Sequence, residues 1–272
     1  MADLVVITLV DSWYMLGAWF LLGIVPKGAA ASYNHHHQHL NVFTDTFSNR
    51  ALELVYGMQT GIVSHAWVLH HSVGHHVHYL DQKTDESRWR RKNGKVMGEI
   101  EYTFIGGMVA YLRALRSGGR YPKYRSTMLR MLGLTLALVA VAFIWRPLQV
   151  TTVLIMPMVF GLFWTVWATY THHTGKRVDS HYVASNNIMH RGYNRLTGNL
   201  GYHTAHHLKP GAHWSKLPEL HSSIAHMIPA DCYITPGLPF RFGQRVIGPP
   251  PGMPFASGTS VEPDSPVIVP AA

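Results

Sequence analysis

The residues in this chain best suited to chemistry are its histidines. There are 20 of them, and most fall in four clusters. The first is His35-His36-His37-Gln38-His39, and the second is His70-His71-Ser72-Val73-Gly74-His75-His76-Val77-His78. The third is the pair His172-His173, and the fourth is His203-Thr204-Ala205-His206-His207. Residues three and four apart on a helix share a face, so each cluster can aim two or three imidazoles at one point. Neutral imidazole is a good ligand for iron, zinc, copper and nickel. One tetrahedral ion takes at most four such ligands, so the roughly nine imidazoles at ligand spacing suit two ions. The single cysteine, Cys232, excludes an intrachain disulfide framework, an all-cysteine zinc site and a cysteine-ligated iron–sulfur cluster. Metal chemistry here falls to nitrogen and oxygen donors.

The elements that must position these histidines are apolar. Hydrophobic residues make up 47% of the chain and charged residues only 14%, against roughly 25% charged in an average soluble domain. Leu4 to Val25 is an apolar stretch interrupted only by Asp11 and Ser12, long enough to cross a bilayer as a helix. It lacks the basic leader and small-residue cleavage site of a signal peptide, and Asp11 within it should face protein rather than lipid. Ala51 to Leu69 mixes Glu53, Gln59, Ser64 and His65 among apolar residues, the pattern of a buried or interfacial helix. Tyr102 to Leu115 is similar, with Arg113 and Arg116 at its basic end. Met128 to Trp145 and Leu148 to Tyr170 flank Arg146-Pro147, which reads as a helical hairpin at 128–170.

Charge orients these elements. The formal net charge is +9, and between Arg88 and Arg130 only Glu99 and Glu101 offset a run of Lys and Arg that leads into the hairpin. Basic flanks mark the cytoplasmic ends of membrane spans, and no nucleic-acid recognition module accompanies them. The expected fold is an all-α integral membrane protein with about three to four transmembrane helices, carrying a cytoplasmic helical cap that bears the histidine site. It should occupy residues 1–248, with a Pro-, Gly- and Ser-rich disordered tail at 249–272. All four clusters can share the cytoplasmic side only if Ala51–Leu69 does not cross the membrane.

Clusters of the form HxxxH, HxxxHH and HxxHH around a hydrophobic hairpin resemble the membrane fatty acid desaturase and hydroxylase superfamily. The resemblance runs from about Asn34 to Leu220. Its most specific part is Gly198-Asn199-Leu200-Gly201-Tyr202-His203-Thr204-Ala205-His206-His207-Leu208-Lys209-Pro210, followed by Trp214 and Leu217-Pro218. This stretch looks like the third histidine box of desaturases and carotenoid oxygenases. The second box, HHSVGHH, has spacing also found in membrane alkane hydroxylases. The resemblance implies a histidine-box di-iron centre, two Fe ions with O2 as co-substrate, and ligands matching His35, His39, His71, His75, His76, His203, His206 and His207. The family adds a histidine before the third box, a place filled by His172 or His173. The resemblance also puts Asn199 near the metals. Two departures stand out: the family commonly has a two-span hairpin before the first box, where one clear span fits here. Registers of the first box that use His36 or His37 also stay open.

The resemblance implies O2-dependent desaturation of a fatty acyl or related alkyl lipid chain, with hydroxylation or oxidative decarboxylation as alternatives on the same scaffold. No fused redox module is visible, so a separate electron-transfer chain of ferredoxin, rubredoxin or cytochrome b5 type, with its reductase, should supply electrons. A membrane zinc hydrolase would use about three histidines and an open water position, and a histidine-rich metal transporter would carry its ligands inside its spans. Neither accounts for all four clusters. The isolated His65, His181, His190, His213, His221 and His226 read as polar contacts. Asp81, Asp85 and Glu86, after the second box, read equally as a solvated loop or as carboxylates orienting ligand imidazoles.

Overall fold

The computed structural model describes residues 1–238 and 242–256. It is helical, and among the described residues strand pairing is limited to isolated bridges. The chain divides into two compact units, one of Met1–Leu69 with Tyr111–Thr165 and one of His70–Ala110 with the described residues from Val166 onward.

The first unit contains α1 (Ala2–Leu9), α2 (Trp13–His39) and α3 (Thr46–Thr60). It also takes in the end of α4 (Glu99–Ser117), all of α5 (Pro122–Trp145) and the first part of α6 (Pro147–His173). Among the described residues, three helices are long and apolar enough to cross a membrane: α2, α5 and α6. Their outward residues suit a lipid setting. Leu21 and Leu22 on α2, and Ile144 and Trp145 on α5, are exposed side by side, contiguous apolar surface of the kind lipid covers. The unit's core joins Val6 and Ile7 of α1 and Leu16 of α2 to Val150, Val153 and Leu154 of α6.

The N-terminal apolar stretch is not one span. It breaks at Val10–Ser12, and α2 starts at Trp13 with the Ser12 hydroxyl accepting from the Met15 N–H (3.5 Å). The break exposes backbone carbonyls that need donors. Arg146 Nε donates to the Ile7 carbonyl (3.0 Å), and Gln149 Nε2 donates to the Val10 carbonyl (3.1 Å). Asp11 pairs with Arg146 at 2.7 Å, so the acid marks a helix break capped by the hairpin turn. The helix long and apolar enough to cross a membrane, Trp13–His39, runs on to the end of the first histidine cluster.

The expected helix over Ala51–Leu69 is also corrected. α3 ends at Thr60 because Gly61 adopts a left-handed conformation (φ 69°), and Ile62 to His65 follow as irregular chain. α3 is not among the helices able to cross a membrane.

The second unit holds most of a nine-residue segment of wide, i→i+5 turns, Val68–His76, and the first part of α4. It also holds the end of α6, α7 (Arg191–Thr197), α8 (His203–Leu208) and α9 (Leu217–Ile224). One core gathers Ala205, Ile224, Ile228, Cys232 and Tyr233; another gathers Trp89, Met97, Tyr102 and Tyr170. The tail expected at 249–272 is described to Ala256, whose N–H donates to the Ile228 carbonyl (3.1 Å); its remainder, 257–272, lies outside the described residues.

Candidate metal centre

The second unit gathers its histidines around two foci. At one, ring nitrogens of His71, His76 and His206 lie within 4.8 Å of one another. The same holds for His75, His173 and His207 at the other. Nε2 of His71 is 3.0 Å from Nε2 of His76, which is 3.2 Å from Nε2 of His206. Around His173 Nε2, the Nε2 atoms of His75 and His203 stand at 3.2 and 3.0 Å. Two imidazoles bound at right angles to one ion, each about 2.1 Å from it, have nitrogens about 3.0 Å apart. The observed separations have that size, and the residues therefore fit a pair of metal ions.

The wide turns of Val68–His76 explain the second box. In an α-helix, His71 and His76 would diverge by about 140° at 100° per residue. An i→i+5 turn closes between four and five residues, so His75 and His76 fall on either side of His71. The Gly74 carbonyl accepts from the Glu86 N–H (3.0 Å) rather than continuing a tight helix. His76 thus joins His71 at one focus while His75 turns to the other. The third box splits likewise, with His206 at the first focus and His207 at the second. The spacing argument had each cluster aiming at one point. Adjacent residues on a helix diverge too far for that, and the boxes are shared between foci.

Tertiary contacts hold these rings in place. His75 Nδ1 lies 2.9 Å from Asp85 Oδ1, and Asp85 also accepts from the Ser87 N–H (2.7 Å). Of the three acids after the second box, Asp85 contacts a candidate ligand. Asp81 instead caps its own turn, accepting from Lys83 N and Thr84 Oγ1. His173 Nδ1 donates to the Ala184 carbonyl (3.0 Å), which directs Nε2 toward the other rings. His172 is engaged elsewhere, with Nδ1 3.0 Å from the Asn186 carbonyl and Nε2 3.1 Å from the Tyr193 hydroxyl. Its ring stacks on His203 at 4.0 Å. Between the two candidates at the end of α6, His173 is the one gathered at a focus. Burial, together with the neighbouring imidazoles of His76, His173, His203 and His75, holds His207 well below the ordinary imidazole range. A ring kept neutral in this way is ready to ligate.

The first box belongs to the other unit. The rings of His35 and His39 are 5.0 Å apart on the last turns of α2, and their ligating nitrogens lie within 4.8 Å. His37 faces a different way. Its Nδ1 accepts from the Val42 N–H (3.3 Å), and its Nε2 is 3.4 Å from the buried Glu53 carboxylate. Glu53 also accepts from Arg50 and from the Ser64 hydroxyl. These bonds outweigh its burial and hold its carboxyl at about 2. The His37 register of the box is therefore committed to structure, while His36 stacks on His35 at 5.6 Å.

The residues around the third box also have structural work. Gly198 and Asn199 both adopt positive φ (61° and 63°), a conformation open to Gly and tolerated by Asn. The Asn199 amide donates to the Trp214 carbonyl (3.2 Å), so this asparagine builds the turn before α8. Gly201 N–H donates to Asn194 Oδ1 (3.0 Å), and its carbonyl accepts from the Ile188 N–H (2.8 Å).

Several contributors carried no signal in the sequence. Asn187 accepts from the Thr204 N–H (3.1 Å) and donates to its hydroxyl (2.9 Å), anchoring α8. Tyr79 packs its ring 4.3 Å from His207 and bonds through its hydroxyl to His181. Lone polar residues without motif spacing could be found only by placing them in space.

Among family models, one described as "Fatty acid desaturase" matches residues 11–235. No curated protein and no solved structure matches the chain.

Proposed function

The chain belongs to the fatty acid desaturase family, and on that premise we propose that it is an O2-dependent di-iron oxidoreductase that desaturates a fatty acyl or related alkyl chain. The convergence of buried imidazoles on two foci carries this reading. A mononuclear zinc hydrolase, with about three histidines and an open water position, would leave the second focus unused. We assign His71, His76 and His206 to one ion, and the family resemblance adds His35 and His39 of the first box to the ligand set. His75, His173, His203 and His207 are assigned to the other. Iron at these positions would supply the redox chemistry that couples O2 reduction to C–H oxidation.

The electron balance then sets the partners. Reducing O2 to two waters takes four electrons and four protons. Removing two hydrogens from adjacent methylenes supplies two of each and leaves the double bond. A separate one-electron carrier, used twice, supplies the other two electrons, and solvent supplies two protons. The chain's own residues contribute by holding the rings. Asp85 and the Ala184 carbonyl fix the orientations of His75 and His173, so their Nε2 atoms face inward. The burial of the site keeps competing water from the reacting carbons. We place the site on the cytoplasmic side, from the basic flank Arg120–Arg130 before α5.

Hydroxylation is the second reading, favoured by the HxxxHH spacing of the second box. It returns one oxygen atom to the carbon and releases a single water. Co-expression with a compatible reductase, followed by lipid profiling against a His206→Ala control, tests both. A new alkene in the wild type alone supports desaturation, and a new alcohol supports hydroxylation. Identical profiles over several lipid classes, with zinc rather than iron in the purified protein, would overturn both.

A further inference from the structure

Beyond the histidine boxes, the second unit carries a basic hairpin. After Asp85 the chain runs through Arg88, Trp89, Arg90, Arg91, Lys92, Asn93, Gly94 and Lys95. Arg90 bridges to Val96, Arg91 N–H donates to the Lys95 carbonyl (2.9 Å), and Gly94 closes the turn with φ 81°. Asn-Gly at such a tip is a hairpin-forming pair. Trp89, 2% exposed, anchors the hairpin in a core with Met97, Tyr102 and Tyr170. The Trp89 N–H donates to Gln82 (2.9 Å), and the Met97 N–H donates to the Trp89 carbonyl (2.9 Å). The loop is therefore held rigidly, with its cations outward.

Those cations are largely uncompensated. Arg91 pairs with Glu101, and Arg88 lies 3.9 Å from Glu86. Arg90, Lys92 and Lys95 are exposed and have no carboxylate partner among the described residues. Three like charges on one short turn repel each other, a cost that a folded chain keeps when something acidic docks there.

The position of the hairpin identifies what docks. Its base begins three residues after Asp85, a reach of at most about 10 Å of extended chain. Arg88 Nη1 donates to the Asp85 carbonyl (3.1 Å), and the Asp85 carboxylate holds His75 Nδ1. On the other side, Tyr170 bonds to the Met97 carbonyl at the hairpin's end (3.1 Å) and lies on the same helix as His173, one turn before it. The patch thus connects by covalent and hydrogen bonds to two rings of one focus. Bilayer headgroups are met by cations immediately beside a spanning helix. The cations suited to that task, Lys123, Arg125 and Arg130, lie in the first turns of α5.

We propose that the hairpin Arg88–Val96 is the docking surface for an acidic one-electron carrier protein, which delivers electrons to the metal pair beside His75. This rests on the di-iron reading given above. At each docking the carrier loses one electron and the metal pair gains one; two dockings supply the two electrons that O2 reduction requires beyond those from substrate.

The test uses the full chain in nanodiscs and a reduced, acidic [2Fe–2S] ferredoxin as probe. Affinity is measured without substrate, and product formation is measured separately with dithionite as electron source. The triple charge reversal R90E/K92E/K95E should raise the ferredoxin Kd about tenfold or more at low ionic strength. Replacing all three with Gln should raise it less, and a ferredoxin with acidic residues changed to Lys should rescue the reversed chain. Iron content and dithionite-driven product should stay at wild-type levels in both variants. Wild-type affinity that is absent, or unchanged by salt or by charge reversal, would overturn the proposal. So would an effect of the reversal seen only with anionic nanodisc lipids at unchanged ferredoxin affinity, which would assign the hairpin to headgroups. Failure of dithionite to drive any product in the wild type would instead count against the di-iron reading, leaving the affinity result to stand on its own.

Discussion

Asp85 Oδ1 lies 2.9 Å from His75 Nδ1, with both side chains buried. A buried carboxylate in this position fixes the tautomer and the ring angle of the imidazole, so that Nε2 is the free ligating atom. Asp85→Asn should lower iron affinity by about 10- to 100-fold, with the helical content unchanged. Chelator titration of the purified protein checks this, and wild-type retention of iron would refute the orienting role.

The two histidines that close α6 should separate in effect. His173→Ala should strip iron from the centre, because its Nε2 lies among those of His75 and His203. His172→Ala should keep more of the metal, since the His172 ring nitrogens are taken by Asn186 and Tyr193. Iron per chain, measured on both variants, checks the order, and equal losses would refute it.

Acid should weaken the first unit through Glu53. His37, Ser64 and Arg50 together hold its carboxyl at about 2, below the ordinary value of about 4.3. Its contribution is therefore complete above the unfolded value and is lost as pH falls from there toward about 2. His65, pushed down to about 4 by burial and by Arg50, acts in an earlier window. Stability falls as pH drops from about 6.5 toward 4, where the unfolded chain takes a proton and the folded one does not. Glu53→Gln should flatten the lower part of the Tm–pH curve and leave the upper part, as thermal melts across that range would show.

Close helix packing in the first unit depends on two glycines. A Cβ on Gly161 would stand 2.8 Å from the Thr60 carbonyl, and overpacking of this kind costs about 1–3 kcal/mol. A Cβ on Gly61 would collide with the Met158 carbonyl, and at φ 69° an L residue is strained as well. Both Gly161→Ala and Gly61→Ala should lower Tm in detergent, the second more, and equal effects would show that the backbone strain at Gly61 counts for little.

Arg146 should matter for the N-terminal break more than for membrane topology. Arg146→Ala removes the side-chain donor of the half-buried Ile7 carbonyl and leaves the exposed Asp11 with Gln149 alone, a loss of about 0.5–1.5 kcal/mol. Lys should restore little, because a single ammonium cannot span both acceptors as the guanidinium fork does. Tm of the two variants distinguishes these outcomes.

Composition and residue spacing alone determined much about this protein. A helical hairpin around Arg146-Pro147, a non-spanning segment after the first box and a set of histidines able to hold metal all follow from apolar run lengths and periodicity. These are local properties, set by the chain's own geometry. Tertiary structure decided the rest. Whether Leu4–Val25 is one helix depended on Arg146 and Gln149, more than a hundred residues away, reaching back to cap the carbonyls of Ile7 and Val10 beside the break. Which of His172 and His173 turns inward was decided by where Ala184, Asn186 and Tyr193 accept or donate. The partition of the second box between two foci depended on the wide turns of Val68–His76, a conformation that spacing along an ideal helix cannot show. Spacing names the rings that share a neighbourhood, whereas the bond each ring makes with its second nitrogen determines where the first one points.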